Sequence, residues 1–481
     1  MASDAATPAP PRRSPEGLLT HRLARWIDAR LGAANLARTT LNKVFPDHWS
    51  FMLGELALYS FVVLVLTGIY LTFFFDPSAN EVVYTGSYDP LRGVEMSEAY
   101  RSALELSFDV RAGLVMRQMH HWAALLFLAS IVVHLARVFF TGAFRRPREI
   151  NWIIGCTLLP LAMFNGLFGY SLLDDQLSGT GLRIVHGITV SIPLVGTWAA
   201  SLLFGGEFPG PDIIQRLYVL HILLVPAAIA VLLTAHLAII VRHKHAQFPG
   251  PGRRENNVIG PRLWPTYAAK ALGLFFLTSA VLAFMGGVFQ INPIWVFGPF
   301  DPAQVSTASQ PDWYMGWLDG ALRIMPGWEI RAFGYEVPNP FFPGVLLAGL
   351  TFAFLYAWPF LEARVTGDYA EHHLLDRPRQ RPVRTALGVA TLSFYVICFT
   401  GAASDVLAAT FGLSVNAILW TFRGLVLAVP PVAGWFTYQL CKELSARDGV
   451  PTASRVRVRE IPGRLRRGTV AAVPADPGPP T

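Results

Sequence analysis

Cysteine is scarce in this chain and charge is thin. The 481 residues include three cysteines, Cys156, Cys398 and Cys441, each within or at the end of an apolar stretch and none at CxxCH or metal-ligand spacing. That excludes a disulfide framework, an iron-sulfur cluster and a covalently attached haem on this chain. Charged residues make up 15% of the chain against 53% hydrophobic residues, and mean hydropathy is +0.40. The composition is that of a polytopic membrane protein rather than a soluble domain. The first 17 residues also lack an apolar core of the kind a signal peptide needs; rich in Ala, Pro and Arg, they read as a disordered cytoplasmic tail.

What is present is a series of long apolar runs. Residues 18 to 49 read as an amphipathic surface helix, to about Val44, followed by the approach to the membrane, with Leu19, Leu23, Trp26, Ile27, Leu31, Leu36 and Leu41 at helical spacing among arginines. Eight candidate spans follow, over about 50 to 75, 112 to 140, 151 to 173, 213 to 241, 268 to 289, 341 to 361, 384 to 405 and 414 to 441. The connections 76 to 110, 174 to 212 and 290 to 340 are long, which marks them as functional. With eight spans both termini share one side, and the segments on that side carry 29 Lys and Arg against 5 on the other. That asymmetry places the termini in the cytoplasm. It also accounts for the net charge of +7 without nucleic acid.

The second span, within RQMHHWAALLFLASIVVHLAR, carries His120 and His134, 14 residues apart. Fourteen residues are nearly four helical turns, so the two imidazoles share a face about 21 Å apart. The fourth span repeats the arrangement with His221 and His236, 15 residues apart, and Pro226 between them can loosen the helix and absorb the extra residue. Both spans run from the outer face to the inner. His120 therefore meets His221 near the outside and His134 meets His236 near the inside. Imidazole is the usual axial ligand of haem iron, and histidine is costly to leave unpaired in hydrocarbon. Single membrane histidines are more often packing residues, but four at matched depths favour ligation of two stacked haems. His121, turned about 140° from His134, reads as a packing or cavity residue. Arg117 and Arg137, each three residues from a ligand, are placed to meet haem propionates. Gly54 and Gly68 in the first span, and Gly155 and Gly169 in the third, repeat the 14-residue interval, where a missing side chain lets a flat ring approach the backbone. The expected fold is an all-α membrane protein of eight transmembrane helices. Its first four form a four-helix haem-binding bundle over 50 to 245, a second membrane part covers 246 to 441, and 442 to 481 form a basic cytoplasmic tail.

Arg117-x-x-His120, His134-x-x-Arg137, the histidine pair of the fourth span, the paired glycines and Pro311-Asp312-Trp313-Tyr314 together resemble the cytochrome b subunit of the quinol:cytochrome c oxidoreductase (cytochrome bc) complex. The likeness covers about residues 45 to 440. The segments TGAFRRPREINW, GYSLLDDQLSG and FPGPGRRENNVIG, with the basic tail, resemble its actinobacterial branch. The resemblance implies two non-covalent b-type haems, the low-potential one on His120 and His221 and the high-potential one on His134 and His236. It implies quinol oxidation at an outer site containing Pro311, Asp312, Trp313, Tyr314 and Gly181, with Asp312 standing where the family has glutamate. Menaquinol is the implied substrate. Lys270 matches a family lysine of the inner quinone site, but the neighbouring aspartate is Ala271 and a frequent family histidine is Val241. His243, Lys244 and His245 lie near enough to deliver protons instead, or form a solvated helix end.

The implied reaction is a Q cycle in the plasma membrane. One electron from quinol crosses the two haems to the inner quinone site and the other goes to a Rieske iron-sulfur partner, with a cytochrome c subunit, a terminal oxidase supercomplex and a homodimeric assembly as further expectations. The aromatic outer loop with Trp295, Phe297, Trp313 and Trp317 reads as a dock for that partner or as an interfacial belt. Arg423, inside the eighth span, reads as a structural or lipid contact. Two other readings remain at this point: a dihaem anchor serving a cytoplasmic dehydrogenase, which leaves PDWY unexplained, and a transporter or assembly protein with packing histidines.

Overall fold

The computed structural model describes residues 19 to 304 and 310 to 448; the 1 to 17 tail and the 442 to 481 tail beyond Asp448 lie outside the described residues. Among the described residues, eight helices are long and apolar enough to cross a bilayer: Trp49–Thr72, Gly113–Thr141, Glu149–Ser171, Ile213–His243, Leu263–Val288, Phe342–Thr366, Pro382–Ala402 and Val415–Arg447. They coincide with the eight expected spans to within a few residues, except that the fifth begins five residues early, the sixth continues five residues past position 361 and the eighth six residues past position 441. Their outward faces carry residues such as Leu66, Phe276, Leu350 and Trp435, each at least 60% exposed, as a lipid-facing helix requires.

The first, second, third and fourth spans pack in sequence, and the fifth lies against the first and second. Halfway along the bundle Ala57, Phe127, Leu158, Ala162 and Ile229, one or two from each of the four spans, form a buried apolar plug. Phe127 and Ile229 fall midway between the histidines of the second and fourth spans, so the two histidine levels are separated by an apolar middle. The fourth helix contains a π-helical turn, Leu220–Leu224, ending just before Pro226. Bonding from i to i+5 inserts one residue into the turn. This is how a 15-residue interval in the fourth span stays level with the 14-residue interval in the second.

At the end bearing the long connections, the all-helical expectation meets two small antiparallel hairpins, Glu81–Val83 with Glu95–Ser97 and Ile330–Ala332 with Tyr335–Val337. Helices Glu98–Phe108, Gln176–Val190, Gly196–Phe204 and Trp313–Ile324 complete this layer. It is fastened to the spans by a reciprocal pair: fully buried Gln118 donates to the Ile291 carbonyl at 2.8 Å and accepts the Ile291 N–H at 2.7 Å. At the opposite, basic end the second helix stops at Gly142, whose φ of 63° is open to glycine at little cost. Beside it Asp376 binds Arg145, Arg381 and Arg384 at 3.2, 3.1 and 2.8 Å. Buried Arg384 also reaches Glu362, so the sixth and seventh spans are tied to the turn after the second.

The amphipathic segment is two helices rather than one. Leu19–Leu31 and Ala33–Leu41 are separated by Gly32 at φ 59°, a left-handed kink that re-aims the chain. Leu23, Trp26 and Leu31 are more than half exposed, as an interfacial face would be.

Candidate functional site

The four histidines form two facing pairs. His120 and His221 have ring centres 6.0 Å apart, and His134 and His236 are 6.5 Å apart, with 73° between the planes in both pairs. A metal held by one nitrogen from each ring, with bonds of about 2 Å, sets imidazole centres about 6 Å apart. Among the described residues no third His, Cys, Asp or Glu joins either pair to complete a protein-made metal site. Two facing imidazoles would suit a macrocycle that brings the remaining donors itself.

Hydrogen bonds orient the pair at the loop-rich end. Thr67 Oγ1 donates to the Val63 carbonyl at 2.7 Å, so its oxygen accepts the Nδ1–H of His120 at 2.9 Å. His221 Nδ1 donates to the Asn165 carbonyl at 2.9 Å. Both bonds select the tautomer whose Nε2 lone pair is free for a metal. The arginines point to the groups a macrocycle would carry. Nε and Nη2 of both Arg117 and Arg137 are buried with no hydrogen-bond partner. Arg117 gives one N–H to the Asn292 carbonyl at 3.3 Å, and Arg137 stacks over Phe51 at 4.3 Å. An unpaired buried guanidinium costs several kcal/mol, on the order given for uncompensated ions, and a carboxylate satisfies it bidentately. The propionates of haem are such carboxylates.

The glycines face the histidine rings. A Cβ at Gly54 would lie 3.2 Å from His134, at Gly68 3.2 Å from His120, at Gly155 3.6 Å from His236 and at Gly169 2.3 Å from His221. The ring beside the backbone is a histidine's at all four positions, in ordinary contact at Gly155, closer at Gly54 and Gly68 and tightest at Gly169. The residues present fit two bis-histidine haems on every one of these counts. Gly169→Ala should displace the His221 ring and leave the purified protein with well under the wild-type haem content. Gly155→Ala, at ordinary contact distance, should keep it; pyridine haemochrome assays of the two variants make the comparison.

A cavity of about 340 Å³ extends from His120 and His221 to Tyr170, Asp312 and Tyr314. Asp312 begins the helix Trp313–Ile324, and buried Tyr314 donates to Asp312 Oδ2 at 3.3 Å. Burial, and then the Asp312 carboxylate, push the Tyr314 phenol well above its ordinary range, so it remains a donor. Trp313 packs on the mid-bundle plug, Pro311 is half-buried beside it, and the missing Cβ of Gly181 faces the Tyr170 ring at 3.9 Å.

One functional neighbour is absent from the sequence reading. His121, there a packing or cavity residue, places Nε2 2.9 Å from both oxygens of Asp312. Its signal was present: a second histidine turned off the ligand face, and an acid one methylene short, which a donor on the facing helix brings into position.

The basic end is less concentrated. Lys270 pairs with Asp47 at 2.9 Å and both are exposed; Val241 faces outward, while its carbonyl accepts Lys43 Nζ. Of His243, Lys244 and His245, Lys244 is exposed and His245 turns inward against Phe45, with ring centres 4.9 Å apart. Burial, then the Lys43 charge, lower the His245 imidazole to about 4, so it is neutral. Arg423 donates to the Ile324 carbonyl at 2.8 Å and lies over Trp420, a structural contact. Of the four rings singled out in the aromatic loop, Trp295 packs on Phe108, Trp313 on the bundle and Trp317 on Tyr395, while Phe297 is exposed, as are Trp328 and Phe333 further along the loop.

Comparison with known proteins adds the family. Residues 125–299 match the family model described as cytochrome b(N-terminal)/b6/petB. The chain is 54% identical over 441 residues to the cytochrome bc1 complex cytochrome b subunit of Mycobacterium tuberculosis, covering 91% of this chain and 80% of that one. It is 52% identical to the protein of the same name from Streptomyces coelicolor, over 93% and 82% of the two chains, and 52% identical to that of Corynebacterium diphtheriae, over 88% and 78%. Among solved structures, a chain of a hyperthermophilic respiratory Complex III superposes with a TM-score of 0.63 at 20% identity, over 86% of this chain and all of that one, a likeness of fold.

Proposed function

Because the chain belongs to the family of cytochrome b subunits of cytochrome bc1 complexes, the quinol:cytochrome c reductases, we propose that it oxidises quinol beside Asp312 and moves one electron through two b haems to a quinone at the basic end. The observation that carries this reading is the shared cavity: it joins the His120 and His221 pair to Asp312 and Tyr314, so a substrate ring there lies next to both an acid-base group and a redox centre.

His120 and His221 would hold one haem and His134 and His236 the other, with Arg117 and Arg137 on the propionates and the four glycines giving clearance. Bound there, haem supplies one-electron chemistry. The chain's residues do the rest. Quinol releases two electrons and two protons on oxidation. Asp312 accepts a hydroxyl proton of the quinol, while His121, donating to its carboxylate, holds it toward the cavity. Tyr314, donor to the same carboxylate, orients it from the other side. Trp313 and Pro311 wall the pocket, and Gly181 leaves room beside Tyr170.

With 29 basic residues on one side against 5, that side is the cytoplasmic one and the Asp312 cavity is external. Protons are then released outside while one electron moves inward. That movement costs about 2.3 kcal/mol per 100 mV of membrane potential, which requires the higher reduction potential at the inner pair. The second electron has no carrier on this chain, so a Rieske iron-sulfur subunit and a cytochrome c subunit take it onward. Menaquinol as the substrate, a plasma-membrane site, a dimeric complex and association with a terminal oxidase belong to the same reading, on the resemblance of the sequence to the actinobacterial branch. Lys270, with Asp47, belongs to the inner quinone region.

A menaquinol pulse given to the purified complex tests this. Reduction of b haem should be rapid and should be slowed by an inhibitor that occupies the Asp312 cavity. Haem reduction indifferent to such an inhibitor contradicts the reading.

A further inference from the structure

Glu55 is the only Asp, Glu, Lys or Arg between Trp49 and Thr72, in the first turn of the helix Leu53–Thr72 of the first membrane span. Among the described residues it forms no salt bridge; its carboxyl accepts from two phenols, Tyr59 on its own helix at 3.2 Å and Tyr267 on the fifth span. A lone ionised carboxyl in an apolar layer is costly, and such groups in membrane helices mark proton pathways. Two phenols without a cation suit a group that holds a proton and passes it on.

Its position gives that proton a destination. The preceding residue, Gly54, lies against His134 of the inner pair, so Glu55 stands one residue round the helix from the ligand's level. Flat rings gather at the same end. Phe45 stacks on Tyr267 with centres 4.4 Å apart and 22° between planes, and also meets neutral His245. Phe51 carries Arg137. On the exposed side the Asp47 and Lys270 pair sits one turn from Tyr267, which leads from Glu55 to water. The charged and titratable groups around Glu55 are thus Tyr59 on its own helix, Tyr267 and Lys270 on the fifth span, and Asp47 on the approach to the first.

We propose that Glu55, held by Tyr59 and Tyr267, is the acid that protonates quinone at the inner site, supplying the carboxyl that Ala271 lacks. This rests on the two-haem quinol-oxidising function proposed above. The quinone takes up two electrons, which come from quinol oxidised at the Asp312 cavity, and two protons. The Glu55 carboxyl O–H breaks as a quinol O–H forms, and the carboxylate is reprotonated from the inner water past the Asp47 and Lys270 pair.

The test uses the complete complex carrying Glu55→Gln, Glu55→Asp or Tyr267→Phe, with haem counted first. After a menaquinol pulse, Glu55→Gln should keep haem content and the rate of haem reduction at the outer site. It should slow quinone-dependent reoxidation of the inner haem by about a hundredfold, the size of a lost general acid, and abolish the wild-type pH dependence of that step. Glu55→Asp should recover part of both the rate and the pH dependence, and Tyr267→Phe should slow the step while retaining the pH dependence. Reoxidation within twofold of wild type with the pH profile unchanged in Glu55→Gln overturns the proposal. So does a Glu55→Asp variant that restores haem content but neither the rate nor the pH dependence, since that would make Glu55 a packing group. If wild type itself lacked two haems, the failure would belong to the underlying function and not to Glu55.

Discussion

Replacement of His221 by alanine should give a complex with one b haem per chain in place of two, with the remaining haem spectrally that of the inner pair. His221 faces His120 across 6.0 Å, is oriented by the Asn165 carbonyl, and sits against Gly169, where a Cβ would lie 2.3 Å from its ring. On the proposed function, its removal would leave His120 as a single ligand and the unpaired nitrogens of Arg117 without the propionate proposed to satisfy them. Quinol oxidation should fall to background, because the electron has no inward acceptor beside the cavity. His236→Ala should remove the other haem and leave the first. The mid-bundle plug of Phe127, Leu158 and Ile229 separates the two levels, so each loss is local. Haem quantitation with low-temperature difference spectra reads both variants.

The second large effect belongs to Asp312. Asp312→Asn keeps the shape but offers Tyr314 and His121 one acceptor oxygen in place of two and cannot accept a proton, so quinol oxidation should fall by about two to four powers of ten, with haem content and chemical reduction of both haems unchanged. Asp312→Glu should retain most of the activity, since it lengthens reach by one methylene within the same cavity. His121→Ala should weaken the reaction less than Asp312→Asn, because it removes the group that holds the acid and not the acid itself. Steady-state rates with menaquinol, set beside haem content, separate these outcomes from misfolding.

The spans and the two histidine levels were legible because their signal is periodic and local. Apolar runs, a 14-residue interval and a basic-residue asymmetry are all properties of a helix read along its own length. The extra residue between His221 and His236 was legible as a discrepancy, and Pro226 marked the right neighbourhood. The device that absorbs it is the π turn over Leu220–Leu224, which no residue-type pattern announces.

What the sequence concealed is contact between distant segments. His121 and Asp312 are 191 residues apart, and Glu55 and Tyr267 are 212 apart, so neither pair has a spacing to read. The Lys270 side chain could be aligned with a family position, but its partner Asp47 emerges only when the approach to the first span folds beside the fifth. Gly32 lay inside an apparently continuous amphipathic pattern, and only its positive φ divides that helix in two. The small hairpins at the loop-rich end are three residues per strand, too short for alternation to declare them.

The most direct measurement is a potentiometric titration of the purified complex, followed in the b-haem absorption bands and calibrated by haem content per chain. Two one-electron waves of equal amplitude, the lower lost in His221→Ala and the higher in His236→Ala, are the expected result. A single wave, or two waves that both survive His221→Ala, would contradict the account of two haems held between the second and fourth membrane helices.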